Sequence, residues 1–267
     1  MKAAFWNINM GKTSPQNRIN TFQKWCADMK PDLLLLEEVS ETLRDRMETL
    51  TGMQKLDYVN TLDKNGNPTT KQLWALQKAG QPFQARALRF PGLEQKRLLL
   101  KVTSPSKVTS KTGIPGNAFE LWVIHANASA AGGAAATKAV NDHLNSTAGK
   151  GAIVGGDFNY AIASAGGNAI HPHSWQTKAG QVQLKFTQWN KVAGSTQGPN
   201  DNLHIEKSGT VIYQQVQPHN IIDYVMKGAN RNAVAQNNCI GVTPAPENMW
   251  IDILREFDHC PVVYDIT

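Results

Sequence analysis

The run Leu33-Leu34-Leu35-Leu36 has no polar face at either helical or strand spacing. Such a run reads as a short strand covered on both sides, which demands layers above and below it. Two acids, Glu37 and Glu38, follow at its carboxyl end. The same grammar recurs along the chain: Ala3–Ile8 leads into polar residues 9–17, Phe119–Ile124 ends at His125, and Ala152-Ile153-Val154 ends in Gly155-Gly156-Asp157. Asn220–Met226 and Pro261–Ile266 read as the last strands, and residues 73–77, 86–90 and 97–102 as a β-rich middle.

Helices fall between these strands. Ile19, Phe22, Cys26 and Met29 share one helical face over 18–29, which Pro31 ends. Ser40 is placed to cap a helix carrying Leu43, Met47 and Leu50. Ser129–Ala136 reads as a small-residue loop, after which Ala136, Ala139, Val140, His143 and Leu144 line one helix face. Residues 57–71 and 103–117 read as turn-rich excursions, and 160–202 as irregular. With 267 residues and 41% hydrophobic composition, the chain can bury a large core as one domain over 1–267. No internal repeat or long linker divides it.

The formal charge of +6 favours an anionic partner, whether nucleic acid, phosphorylated lipid or membrane surface. Arg86, Arg89, Lys96, Arg97, Lys101, Lys107 and Lys111 lie close together against the single acid Glu94. Such a run is either a solvated face or a track for a polyphosphate backbone. Cys26, Cys239 and Cys260 include no short-spaced pair, which speaks against a disulfide framework or a zinc cluster. No segment is apolar for long enough to span a bilayer. The N-terminus reads directly into a strand without a signal-peptide stretch, so the expected location is inside the cell, or outside it in a mature or unconventionally exported form.

Six short stretches place polar groups at strand ends: Trp6-Asn7-Ile8-Asn9, Leu36-Glu37-Glu38-Val39, Ile124-His125-Ala126-Asn127, Gly155-Gly156-Asp157-Phe158-Asn159, Ile222-Asp223-Tyr224 and Asp258-His259-Cys260-Pro261. Singly, each has a bland explanation: Asn7 in a turn, Glu38 as a helix cap, Asp157 and Asn159 in a turn after two glycines, His125 as a structural histidine. Together they supply what phosphate-ester cleavage needs: a cation site, a base for water, and donors for the pentavalent transition state. Glu38 with Asn7 offers hard oxygen ligands suited to magnesium. His259 titrates near neutrality and is the natural general base, with Asp223 to fix its tautomer. Asp157 and Asn159 could orient the attacking water, and His125 and Arg97 could bind the phosphate.

In this order the motifs resemble those of the endonuclease/exonuclease/phosphatase superfamily, along essentially the whole chain. Ile-His-Ala-Asn-Ala before the Ala-rich helix, and Ile-Asp-Tyr-Val-Met-Lys-Gly with Asn230 soon after, are most similar to the deoxyribonuclease I-like subunit of cytolethal distending toxin. The resemblance implies an α+β fold: a four-layer α/β/β/α sandwich of two packed mixed β-sheets with helices outside. It implies that Glu38, Asn7 and Asp258 surround the metal (magnesium, with manganese or calcium as alternatives). It implies that His125, Asp157, Asn159, Asp223 and His259 do the chemistry, and that Arg97 contacts the phosphate. Two departures stand out: Glu37 where relatives usually carry glutamine, adding charge beside Glu38, and Ser40 where some nucleases carry a DNA-contacting arginine. The function so implied is a DNA-nicking endonuclease, toxin-like and delivered by partner subunits. The alternatives are a phosphoinositide phosphatase using the same site and an inactive binding module of the same fold.

Overall fold

A computed structural model describes residues 1–63, 65–93, 98–104, 120–170, 203–205, 213–215, 222–235, 253, 256–257, 259 and 261–267. The first strand, β1 (Lys2–Met10), is followed by α1 (Gln16–Met29) and the leucine-rich β2 (Leu33–Ser40). After β2 come a 3-10 turn (Glu41–Arg46) and α2 (Met47–Thr51), then the strands β3 (Gln54–Leu62), β4 (Pro68–Gln77), β5 (Gln84–Arg89), β6 (Leu98–Thr103) and β7 (Glu120–His125). The helix α3 (Ala130–Asn145) leads to β8 (Ala152–Asp157), β9 (Ala169–Ile170), β10 (Leu203–Ile205), β11 (Tyr213–Gln215), β12 (Asp223–Lys227), β13 (Ala233–Ala235) and β14 (Val262–Ile266).

Among the described strands are two six-stranded sheets, ordered β13-β14-β1-β2-β4-β3 and β5-β6-β7-β8-β12-β9, with β10 and β11 forming a separate pair. Each sheet is mixed: β1 runs parallel to β2 in one and β7 parallel to β8 in the other, the remaining described pairings being antiparallel. The two parallel pairs pack over one another. This explains the unbroken leucines of β2. Leu33 and Leu35 join the core between the sheets with Ala3 and Phe5, while Leu34 and Leu36 join Phe22, Trp25 and Met29 of α1 on the opposite face. On the far side of the second sheet, α3 buries Ala136, Val140 and Leu144. The layers are therefore helix, sheet, sheet, helix.

Several local expectations shift. The stretch 57–71, read as turn-rich, lies largely within the β3–β4 hairpin, whose β3 residues are all exposed or half-buried and therefore tolerate polar side chains. Ser129–Ala136, read as a loop, is mostly helix: Ser129 caps α3 by accepting the Gly132 N–H at 3.1 Å, and the small residues form its first turns. Ser40 does act as a cap, its Oγ accepting from Thr42 N, but the turn it opens is 3-10 before it becomes α2. Lys30, with φ of 42°, ends α1 in a left-handed turn just before Pro31. Gly155 and Gly156 continue the strand read at 152–154 as part of β8. A Cβ on Gly155 would meet the Phe5 ring at 2.4 Å, and one on Gly156 would meet Ile124 O at 2.1 Å and Glu37 Oε1 at 2.6 Å. The glycines let the sheets close and leave room for Glu37 between them.

Candidate active site

The topology explains why residues far apart in sequence meet. Strands β1, β2, β7 and β8 contribute their carboxyl ends to one edge of the sandwich, carrying Asn7, Glu37–Glu38, His125 and Asp157. Strands β12 and β14 run antiparallel to β8 and β1, so their amino ends reach the same edge and bring Asp223 and His259. In register, His125 and Asp223 flank Asp157 on either side, and Asn7 sits opposite Glu37.

The β2 ladder is irregular between Leu36 and Val39, and Glu38 there has a φ of 53°. A left-handed glutamate is strained and needs support from its surroundings. The irregularity turns Glu38 into the open end of the site while Glu37 points between the sheets. Asn7 Nδ2 donates both to Glu38 Oε1, at 3.1 Å, and to Asp157 Oδ2, at 3.2 Å. His125 Nε2 approaches the same two oxygens, at 3.4 and 3.9 Å. Asn159, also left-handed with φ of 48°, donates its backbone N–H to Asp157 Oδ1 at 2.8 Å and its amide to Ala126 O at 3.1 Å. Asparagine tolerates this conformation better than most residues. On the other side, His259 Nδ1 lies 2.9 Å from Asp223 Oδ2 and 3.1 Å from Oδ1, and its Nε2 is 4.0 Å from Asp157 Oδ2. Trp6 Nε1 donates to His259 O at 2.9 Å and so holds the backbone of that loop on the first sheet.

Glu37 corrects a sequence expectation. It does not lie beside Glu38 at the open site; it is fully buried, and both its carboxyl oxygens receive the Asp157 backbone N–H, at 3.1 and 3.0 Å. Burial pushes its pKa well above the ordinary carboxylate value, and the charges of Asp157 and Asp223 push the same way. Asp157 is pushed up to about 7, first by burial and then by Asp223, against the opposing pull of His259. Glu38, Asp157 and Asp223 thus crowd one edge beside the protonated Glu37, and among the described residues this gathers acidic oxygens suited to a divalent ion. The donor set fits one: Glu38 and Asp157 converge on a single amide, and Asp157, Asp223 and His259 offer ligand atoms all within 4.8 Å of one another.

Of the residues expected at the site, Asn7, Glu38, His125, Asp157, Asn159, Asp223 and His259 come together. Arg97 and Asp258 lie outside the described residues, as do Cys239 and Cys260. Lys101 of the basic run is engaged within the fold, 2.6 Å from Glu120 and stacked over Trp122. One residue was missed. Lys71 Nζ lies 2.5 Å from Asn9 Oδ1 and 3.5 Å from Glu38 Oε2. Its only sequence signal was a position just before the apolar half of β4, in a stretch otherwise read as turns.

This combination of sandwich and strand-end cluster is that of a phosphoric ester hydrolase: residues 4–226 match the model of the Endonuclease/Exonuclease/phosphatase family, and the chain belongs to it. Among solved structures, it is similar to TDP2 of D. rerio complexed with single-strand DNA product (16% identity, TM-score 0.52, covering 100% of this chain and 98% of that one). It is also similar to the human Nocturnin catalytic domain with bound sulfate anion (16%, 0.53, covering 100% and 93%). An endonuclease/exonuclease/phosphatase of Bacteroides vulgatus matches at 13% identity and a TM-score of 0.55, covering 100% and 98%. At these identities the likeness establishes the shared fold. No curated protein matches the sequence.

Proposed function

We propose that the chain is a metal-dependent phosphodiesterase, an endonuclease that nicks DNA by attack of water on a backbone phosphate. One observation carries this reading: the His259–Asp223 pair faces the Glu38–Asn7–Asp157 cluster across a single strand edge. Asp223 accepts from Nδ1–H of His259, which leaves Nε2 as the proton acceptor pointed into the site. Asp157 and Asn159 orient the water that His259 deprotonates. His125 donates to a phosphate oxygen or to the departing alkoxide, and Arg97 adds a further phosphate contact. Glu38 and Asn7, with Asp258 nearby, would hold the metal; magnesium suits the hard oxygen donors, with manganese or calcium as substitutes. Bound there, the ion neutralises charge on the phosphate.

The toxin-like character rests on the two stretches Ile124–Ala128 and Ile222–Gly228, and DNA as substrate on those and on the basic composition. The single-strand DNA product in the structurally similar TDP2 agrees with a nucleic-acid substrate. Purified protein and a His259→Ala variant, given magnesium with supercoiled plasmid or with a triphosphorylated phosphoinositide, test the reading. Plasmid nicking that is lost in the variant is expected. Phosphate release without nicking makes the protein a lipid phosphatase, and inertness across several metals makes it a binding module.

A further inference from the structure

The helix α3 carries Gly132, Ala135, Ala136 and Ala139 along one stripe, and the site chemistry uses none of them. Two of its glycines have packing reasons. A Cβ on Gly132 would meet Asn127 Cβ at 2.5 Å, and one on Gly133 would meet Asn159 O at 2.4 Å, so they seat the helix start against the site. The alanines have another role. They form one wall of a cavity of about 380 Å³ whose lining also includes Leu93, Leu99, Ile124, His125, Ala126 and Asn127. The cavity therefore adjoins His125 of the strand-end cluster and extends along α3.

Its chemistry limits what can enter. Among the described residues, the charged side chains of its lining apart from His125 are Lys138 and Asp142, which pair with each other at 2.5 Å and cancel. A phosphorylated inositol ring needs several cations, and among the described residues the lining offers none to spare. A neutral, flat, mostly apolar group with a few polar edges fits both the walls and the size, which lies toward the lower end of small-molecule pockets. The Asn127 amide in the lining can meet such an edge.

We propose that this groove is a subsite for one nucleobase of the substrate, the base next to the phosphate held at His125; this rests on the phosphodiesterase reading above. A base can reach it only after leaving its stack, so single-stranded DNA is the preferred substrate over a paired duplex.

Ala135 lines the groove but is solvent-exposed, so Ala135→Phe fills the subsite without disturbing the core. The experiment compares a single-stranded thymidine 12-mer with a 12-mer of the same backbone lacking every base, both with magnesium. The wild type is expected to favour the base-bearing strand, and Ala135→Phe to lower its kcat/KM roughly tenfold, in the range of a misfit in an apolar pocket. Cleavage of the abasic strand stays unchanged, and an unshifted melting temperature shows that the variant folds. Equal cleavage of both strands by the wild type, or a variant that slows both alike, overturns the subsite. If the wild type cleaves neither strand, the phosphodiesterase reading itself fails and the subsite falls with it.

Discussion

Glu37 shows how a single side chain can serve the site without facing it. Its carboxyl braces the backbone of Asp157 from between the sheets, where a charge is costly. Its raised pKa means that the folded state keeps a proton that the unfolded chain releases above its ordinary value of 4.5. Stability is therefore full below that pH and is lost as pH rises toward the folded value. Glu37→Gln keeps an acceptor for the Asp157 N–H and has no charge to bury. Its melting temperature should match the wild type near pH 4.5 and exceed it by more than about 3 °C at pH 8 in thermal scans without metal. For the base pair, Asp223→Asn should lower kcat by at least about a hundredfold while leaving KM nearly unchanged, since it disturbs the tautomer of His259 and not substrate contacts.

At the scale of elements, Gly156 is the tightest point of β8. Gly156→Ala, with its Cβ forced onto Ile124 O from a φ of 134°, should cost more than about 3 kcal/mol in chemical denaturation. Most elements were readable because their apolar patterns were strong: the double-faced leucines of β2, the one-sided α1, the run into His125. The seven site residues brought together were legible for a related reason, since each interrupts an apolar strand at its end. Lys71 and the inward turn of Glu37 were not. Both depend on a backbone irregularity in β2 that reverses which residue faces which layer, and residue types alone do not reveal it. The first turns of α3 were misread because alanine and glycine carry little periodic signal; there, the Ser129 cap was the better guide.

For the whole molecule, the metal-dependent reading proposed above ties folding to ion binding at the carboxyl-rich edge. Magnesium at a hundred times its dissociation constant should raise stability by about 2.7 kcal/mol, read as a shift in melting temperature that a chelator reverses and Glu38→Ala abolishes. The placement of β14 has another consequence. It lies between β1 and β13, so the first sheet stays open until residues 262–266 exist, and His259 precedes them by only a few positions. During synthesis every other described residue of the strand-end cluster leaves the ribosome before His259 does. A chain that stops short of these residues therefore lacks both the His259 imidazole and the strand that joins β1 to β13.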